Sequence, residues 1–276
     1  MRRNLVYTSA GDKANLDRWL RGRRNFDLWV TYYGDVPGSY ASTGEFYNVR
    51  SGSKFGNLKF AYDTWPERFS RYDAVFVMDD DILISTDAIN RLFEIRAAHD
   101  FWALQPAFSP LGKISWDITR AQWQCVLRFT NFIETTCPLF RRDKLDAFMT
   151  VYDPALISYG TDWWFVDVLG DDIDGKVAVI DAITCINPHD RSKGGVREIS
   201  RLASHEQTIA NWEEVKRKYG LSRRQNYEFG KVMKPKPGRW LSIIFHMPLE
   251  LYVSARSHAR IARNTIKRLF GEPRSE

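Results

Sequence analysis

Apolar and polar positions along this chain follow two rhythms. Short, nearly continuous apolar runs bounded by turn residues alternate with longer stretches in which apolar residues recur every three or four positions. The runs Asn4–Thr8, Phe26–Tyr33, Asp73–Met78, Phe101–Pro106, Phe132–Phe140 and Val177–Ile183 read as strands. The stretches Lys13–Arg23, Phe55–Trp65, Thr86–His99, Arg142–Val151, Thr161–Leu169 and Trp212–Tyr219 read as helices, Thr86 serving as an N-cap and Pro66 ending the second. Such alternation is the signature of βαβ units on a largely parallel sheet. A length of 276 residues leaves room for one large α/β domain and an appendage. Lys231–Arg239 (KVMKPKPGR) has the Pro, Gly and Lys content of a linker, so the expected division is a catalytic domain at 1–230 and a C-terminal segment at 231–276.

That segment is chemically distinct. Trp240–Val253 is apolar but interrupted by His246, Pro248 and Glu250, and Arg256, Arg260, Arg263 and Lys267 then share one helical face. A basic face beside Trp240, Ile243, Ile244, Phe245 and Leu249 suits an anionic bilayer surface, with packing on the catalytic domain or a dimer contact as the alternative. No apolar run reaches the roughly 18–20 residues of a membrane span. The amino terminus reads as a first strand rather than a signal peptide. Cys125, Cys137 and Cys185 are widely spaced and form no CxxC pair, which indicates neither a disulfide framework nor a zinc site. Together these point to a cytoplasmic protein, peripheral on the inner face of the membrane.

Composition adds two constraints. Ten Trp, 12 Tyr and 17 Phe exceed what a minimal core requires, and flat aromatic faces suit sugar rings and nucleobases. The formal net charge of +6 is concentrated at the two ends of the chain, while the middle carries acidic clusters. No nucleic-acid motif accompanies the basic residues, so nucleic acid is not an expected partner.

The chemistry gathers where the run DAVFVM enters three consecutive aspartates, Asp79, Asp80 and Asp81. Crowded carboxylates at the carboxyl end of a buried strand call for a compensating cation. Asp79 and Asp81 share one side of an extended segment, because strand side chains alternate, so both can face one ion. Hard oxygen ligands favour Mn2+ or Mg2+, which commonly bridge substrate phosphates. His189, in NPHDR after a strand, is the candidate third ligand. Nearby Arg191 and Lys193, with the amides of Gly194 and Gly195, can meet a diphosphate. A phosphatase of the haloacid dehalogenase type would place a DxDx(T/V) signature near the amino terminus, and this triplet lies well inside the chain.

Downstream, Asp162 in SYGTDWWF stands at a helix start carrying Trp163 and Trp164. A carboxylate held near an acceptor hydroxyl, with aromatic surface against the ring, suits a catalytic base; helix capping is the structural alternative. Glu134, an acid in the apolar stretch NFIETTCPLF, invites the same question.

The order of these features resembles the nucleotide-sugar glycosyltransferases of GT-A fold, with a DXD motif after a strand, a downstream acid at a helix start and a late histidine. More narrowly, YYGD, GSKFGNLKF, YDAVFVMDDDI, LQPAF, NFIETTCPLFRR, YGTDWWF and NPHDR resemble successive blocks of domain-of-unknown-function family 707, from about Leu5 to Arg191. The resemblance implies a Rossmann-like, mostly parallel sheet flanked by helices; the C-terminal basic amphipathic helical tail is read from its residues and gains nothing from the resemblance. It implies Asp79 and Asp81 in the DXD positions, Asp162 in the acidic position and His189 in the late histidine position. Glu134 and Lys54 also fall in matched blocks.

The expected protein is a divalent-metal-dependent glycosyltransferase, inverting, acting on a glycan or lipid-linked glycan in polysaccharide synthesis. Thr8, Ser9, Asp12 and Lys54 are expected to hold the nucleotide, UDP-linked in preference to GDP-linked, with Asp80 the replaceable middle of the triplet on the nucleotide-sugar side. Asp162 is the expected base, and Glu134, Trp163 and Trp164 shape the sugar or acceptor pocket. A sugar-nucleotide nucleotidyltransferase is the rival, although SAGDKAN lacks its glycine-rich loop; a non-catalytic carbohydrate-binding protein is another.

Overall fold

Unbroken apolar runs build the centre of one sheet. The computed structural model describes residues 2–189, 202–222, 225–236 and 246. Strands β1 (Asn4–Ala10), β2 (Phe26–Tyr32), β3 (Phe46–Val49) and β4 (Ala74–Asp79) pair in parallel, with β1 between β2 and β4. Side chains of β1 point alternately into two cores. Leu5 and Tyr7 pack with Trp29, Val75 and Val77 on one face, and Val6 with Leu28, Val30, Phe76 and Met78 on the other. Burial on both faces is why these strands read as continuous apolar runs.

Helices cover the two faces. On the first lie α2 (Lys54–Thr64), α3 (Pro66–Phe69), α5 (Arg142–Val151), α6 (Thr161–Leu169) and α7 (His205–Tyr219); on the second lie α1 (Leu16–Trp19) and α4 (Thr86–Ala98). The second half of the sheet is mixed. β5 (Ala103–Phe108) and β8 (Val177–Cys185) run parallel, β7 (Leu139–Arg141) is antiparallel between β4 and β5, and β6 (Cys125–Thr130) and β9 (Glu228–Met233) add an antiparallel edge. The order across the nine strands is β3-β2-β1-β4-β7-β5-β8-β6-β9. Chain order turns in opposite directions on either side of β1, so the β1/β4 boundary is a topological switch point, where open α/β sheets bind ligands beyond the strand ends.

Several expectations are corrected. The helix over Lys13–Arg23 contracts to α1, because residues 11–15 are tied to the acidic triplet: the Gly11 amide donates to Asp80 Oδ2 at 2.8 Å and the Asn15 amide to Asp80 O at 2.6 Å. The cap of α4 is Ser85, whose hydroxyl accepts from the Ala88 amide, while Thr86 donates to Trp19 O. The strand over Phe132–Phe140 is mostly loop, with its end alone in β7. Its carbonyls instead serve the site and the β4 margin: Thr136 O accepts from the Asp79 amide and Pro138 O from the Val77 amide. The boundary at residue 230 falls inside β9, so Lys231–Met233 belong to the sheet rather than to a linker. Of the tail, His246 is described, its ring stacked on Trp123 at 4.0 Å. The basic face from Arg256 onward lies outside the described residues, as do Arg191 and Lys193.

Candidate active site

Beyond the ends of β1 and β4, four charged side chains converge from distant parts of the sequence. Asp79 ends β4; Lys54 opens α2; Glu134 sits on the loop before β7; Asp162 is in the first turn of α6. The Lys54 ammonium lies 2.6 Å from Asp79 Oδ1 and donates to Thr135 O at 2.5 Å and Thr136 O at 3.1 Å. The amide of Thr135 in turn donates to Asp162 Oδ1. One loop thus joins the lysine to the buried acid.

Asp162 is 7% exposed. Burial pushes its carboxyl up to about 7, the charge of Glu134 adds to the rise, and the Thr135 hydrogen bonds and the Lys54 charge oppose it. Glu134, 4% exposed, is raised from its ordinary value by burial first and also by the charge of Asp79; bonds from Thr136, Ser115 and Thr119 hold it back. The Thr136 hydroxyl donates to Glu134 Oε1 at 2.8 Å, and Gln105 Oε1 accepts from the Glu134 amide at 2.6 Å. Burial together with the charge of Glu134 thus brings Asp162 to a range where a carboxyl can both take and give a proton near pH 7.

The site is aimed by a glycine. Gly160, before α6, has φ +96, and a Cβ there would lie 2.1 Å from the Trp212 ring. Glycine alone lets α6 start against Trp212 with Asp162 turned inward.

Other predicted residues fall differently. Thr8 is fully buried and its hydroxyl donates to Met78 O at 2.9 Å; Ser9, also buried, accepts from Asn57. They brace the strand ends rather than face a ligand. The Asp12 carboxylate accepts from Tyr32 Oη and from the amides of Asp35 and Val36, organising the loop after β2. Asp80 is no replaceable middle, since its carboxylate holds the Gly11 amide. Trp163 and Trp164 are 2% and 1% exposed and belong to the core. The half-buried rings of Trp116 and Tyr159, which sequence reasoning missed, pack edge-on against Trp163 at 5.4 and 5.5 Å and carry aromatic surface outward. Trp116 lies close to Glu134 through Thr119, whose hydroxyl reaches both Trp116 O and Glu134 Oε2.

The donor chemistry fits a hard divalent cation that keeps most of its ligands as water and phosphate. The Asp79 side chain is 43% exposed where β4 ends, and Asp81 lies in the turn that follows rather than on the extended segment expected, its carbonyl fixed by Asn15 Nδ2 at 2.6 Å. A cage of protein ligands does not form: among the described residues no three His, Cys, Asp or Glu side chains are grouped to hold a metal. His189 is exposed and is not brought into such a group, although the bridge Leu83–Ile186 carries the start of its loop past the triplet.

No family model matches the chain, and no curated protein matches it, so the narrower likeness to domain-of-unknown-function family 707 has no support there. Solved structures do resemble it. TarS of S. aureus is 11% identical with a TM-score of 0.51, covering 79% of this chain and 44% of that one. GalNAc-T7, solved with UDP, GalNAc and Mn2+, is 10% identical with a TM-score of 0.51, covering 78% of this chain and 47% of that one. The chain spans less than half the length of either. At such identities the likeness carries the architecture, and the architecture is the GT-A fold.

Proposed function

We propose that the protein is a glycosyltransferase that moves a sugar from a nucleotide-sugar donor, UDP-linked in preference to GDP-linked, to a glycan or lipid-linked glycan acceptor. The observation that carries this reading is Asp162: a buried carboxyl raised to about 7, beside the strand-end acids of a GT-A sheet. Support also comes from the neighbour solved with UDP, GalNAc and Mn2+.

In this reading Asp162 removes the proton from the acceptor hydroxyl as it attacks the sugar, and transfer proceeds with inversion. Burial sets that proton affinity and the charge of Glu134 adds to it; Glu134 also orients the acceptor. The exposed side of Trp116 offers the ring face for the acceptor sugar. Asp79 and Asp81 would hold Mn2+ or Mg2+, which would supply countercharge for the leaving diphosphate. Lys54, which pairs with Asp79, brings a further positive charge to the same site. The basic tail places the protein on the cytoplasmic face of an anionic membrane; sedimentation with anionic vesicles, with and without residues 237–276, tests that part. Among the described residues no helix is long and apolar enough to cross a membrane.

The central test is a thermal-shift panel of nucleoside diphosphates and sugar nucleotides, with and without Mn2+. A shift with UDP or a UDP-sugar that Mn2+ enlarges, and that Asp81→Ala loses, is the expected outcome. Absence of any nucleotide shift sinks the transferase reading.

A further inference from the structure

Lys54 occupies an unusual position for a phosphate ligand. Three oxygens, Asp79 Oδ1, Thr135 O and Thr136 O, lie within 3.1 Å of its ammonium, one for each N–H it can donate. Its side chain is 11% exposed, whereas that of Asp79 is 43% exposed, so the lysine grips Asp79 from the protein side while the carboxylate faces outward. The backbone of Lys54 is held in the first turn of α2, which Ser53 caps, and its ammonium lies 5.5 Å from the centroid of the Phe55 ring. The two carbonyls belong to the loop that also binds Asp162.

We propose that Lys54 is a built-in counter-ion that competes with the divalent cation for Asp79, so that cation and nucleotide diphosphate enter together rather than in sequence. The proposal rests on the transferase reading and deepens it. An ammonium and a divalent ion sharing one carboxylate repel each other, and a half-buried setting screens that repulsion poorly. With Lys54 in place, Asp79 is already neutralised and has little attraction left for a cation. A diphosphate changes the balance, because its negative charge lies within reach of both cations. Lys54 can then turn from Asp79 toward the phosphate and leave the carboxylate to the metal. The signs differ from those of a simple phosphate ligand. Removing a phosphate-binding lysine leaves the affinity for free metal unchanged, whereas removing a competitor raises it.

The probe is Mn2+ alone, titrated by the electron paramagnetic resonance of the free ion, on wild type and Lys54→Met, with and without UDP. Wild type is expected to bind Mn2+ weakly alone and at least tenfold more tightly with UDP. Lys54→Met is expected to bind Mn2+ alone at least tenfold more tightly than wild type, while the coupling between Mn2+ and UDP falls toward one; coupling of this kind is reciprocal, so UDP titrations at fixed Mn2+ must agree. Lys54→Arg, which keeps the charge, is expected to stay within about threefold of wild type, and it serves if the methionine variant does not fold: an arginine variant that gains as much as tenfold overturns the competition. So does a folded Lys54→Met with unchanged or weaker Mn2+ binding. A wild type that ignores UDP sinks the transferase reading, whereas one that shifts with UDP but whose Mn2+ affinity ignores Lys54 sinks the competition alone.

Discussion

Two parts of this sheet bury charge, and they do so in opposite ways. Between β6 and β8, Arg128 and Asp181 are fully buried and closed. All five guanidinium donors are used: Nε and one Nη2 proton on Asp181, Nη1 on Ile118 O and Glu228, and the other Nη2 proton on Arg120 O. The Gln122 amide adds a bond to Asp181 at 2.8 Å. At the β1/β4 end, Asp79, Glu134 and Asp162 share one nearby ammonium, that of Lys54; burial raises the proton affinity of Asp181 as well as of Glu134 and Asp162, but at Asp181 the paired Arg128 guanidinium opposes the rise directly. Burial therefore does not mark the reactive region. The supply of donors does: five guanidinium donors and the Gln122 amide are closed on Asp181, Glu228 and backbone carbonyls there, whereas three acids meet one ammonium at the β1/β4 end, and an excess of acids is what attracts a cation.

The comparison breaks most visibly at Arg128. Arg128→Met leaves Asp181 buried without its partner and frees β9 and the Ile118–Arg120 turn from their common anchor, for a loss of roughly 3–5 kcal/mol in chemical denaturation. A loss below about 1 kcal/mol would mean that the edge of the sheet is held by its backbone ladder and that the network is not structural.

How far each region can be read from the amino-acid sequence differs for the same physical reason. Strands β1, β2 and β4 were legible because both faces are buried and the apolar runs are continuous; α5 and α6 match their expected limits. Strands β3 and β9 were missed because they are half-exposed edges, and β6 because Arg128 interrupts its apolar run. The stretch Phe132–Phe140 was misread because apolar character reports burial, not pairing; its buried loop satisfies its polar groups through Gln105, Thr130 and Lys54. Asp79, Glu134 and Asp162 were visible as acids in apolar surroundings. Lys54 on Asp79 was not, because the loop carbonyls that fix it lie 81 and 82 residues away. Trp163 and Trp164 misled in the opposite direction, as aromatic type alone does not say which ring reaches the surface.

Asp162→Asn sharpens the contrast, because it removes charge from the unbalanced region while keeping shape and an oxygen for the Thr135 amide. Transfer is expected to fall by about 10²–10⁴ as the base is lost, measured as donor turnover with acceptor. Stability should move the other way from Arg128→Met. The native carboxyl is raised from 3.8 to about 7, so the stability that its protonated form contributes is complete below pH 4 and is lost as pH rises toward 7. The asparagine variant lacks that loss. Its advantage over wild type in denaturation should grow between pH 4 and 8, on the order of 1–3 kcal/mol with Glu134 sharing the proton and Lys54 opposing it. A difference that stays flat with pH would place Asp162 outside the titrating pair.

The smallest expected effect isolates one hydrogen bond within the unbalanced region. Thr136 donates to Glu134 Oε1 at 2.8 Å, and Thr136→Val keeps the shape while removing the donor. Burial has already raised Glu134, and the lost bond raises it further, because the hydroxyl favours the ionised form. The cost should be about 1 kcal/mol where Glu134 is ionised, and it should shrink as pH falls through the raised native value and the carboxyl takes up its proton. The consequence for Asp162 has the opposite sign. A Glu134 more often neutral repels Asp162 less, so the rising limb of the pH–rate profile should move to lower pH in Thr136→Val. A limb that stays in place while the stability cost appears would uncouple the two acids and leave Asp162 titrating alone.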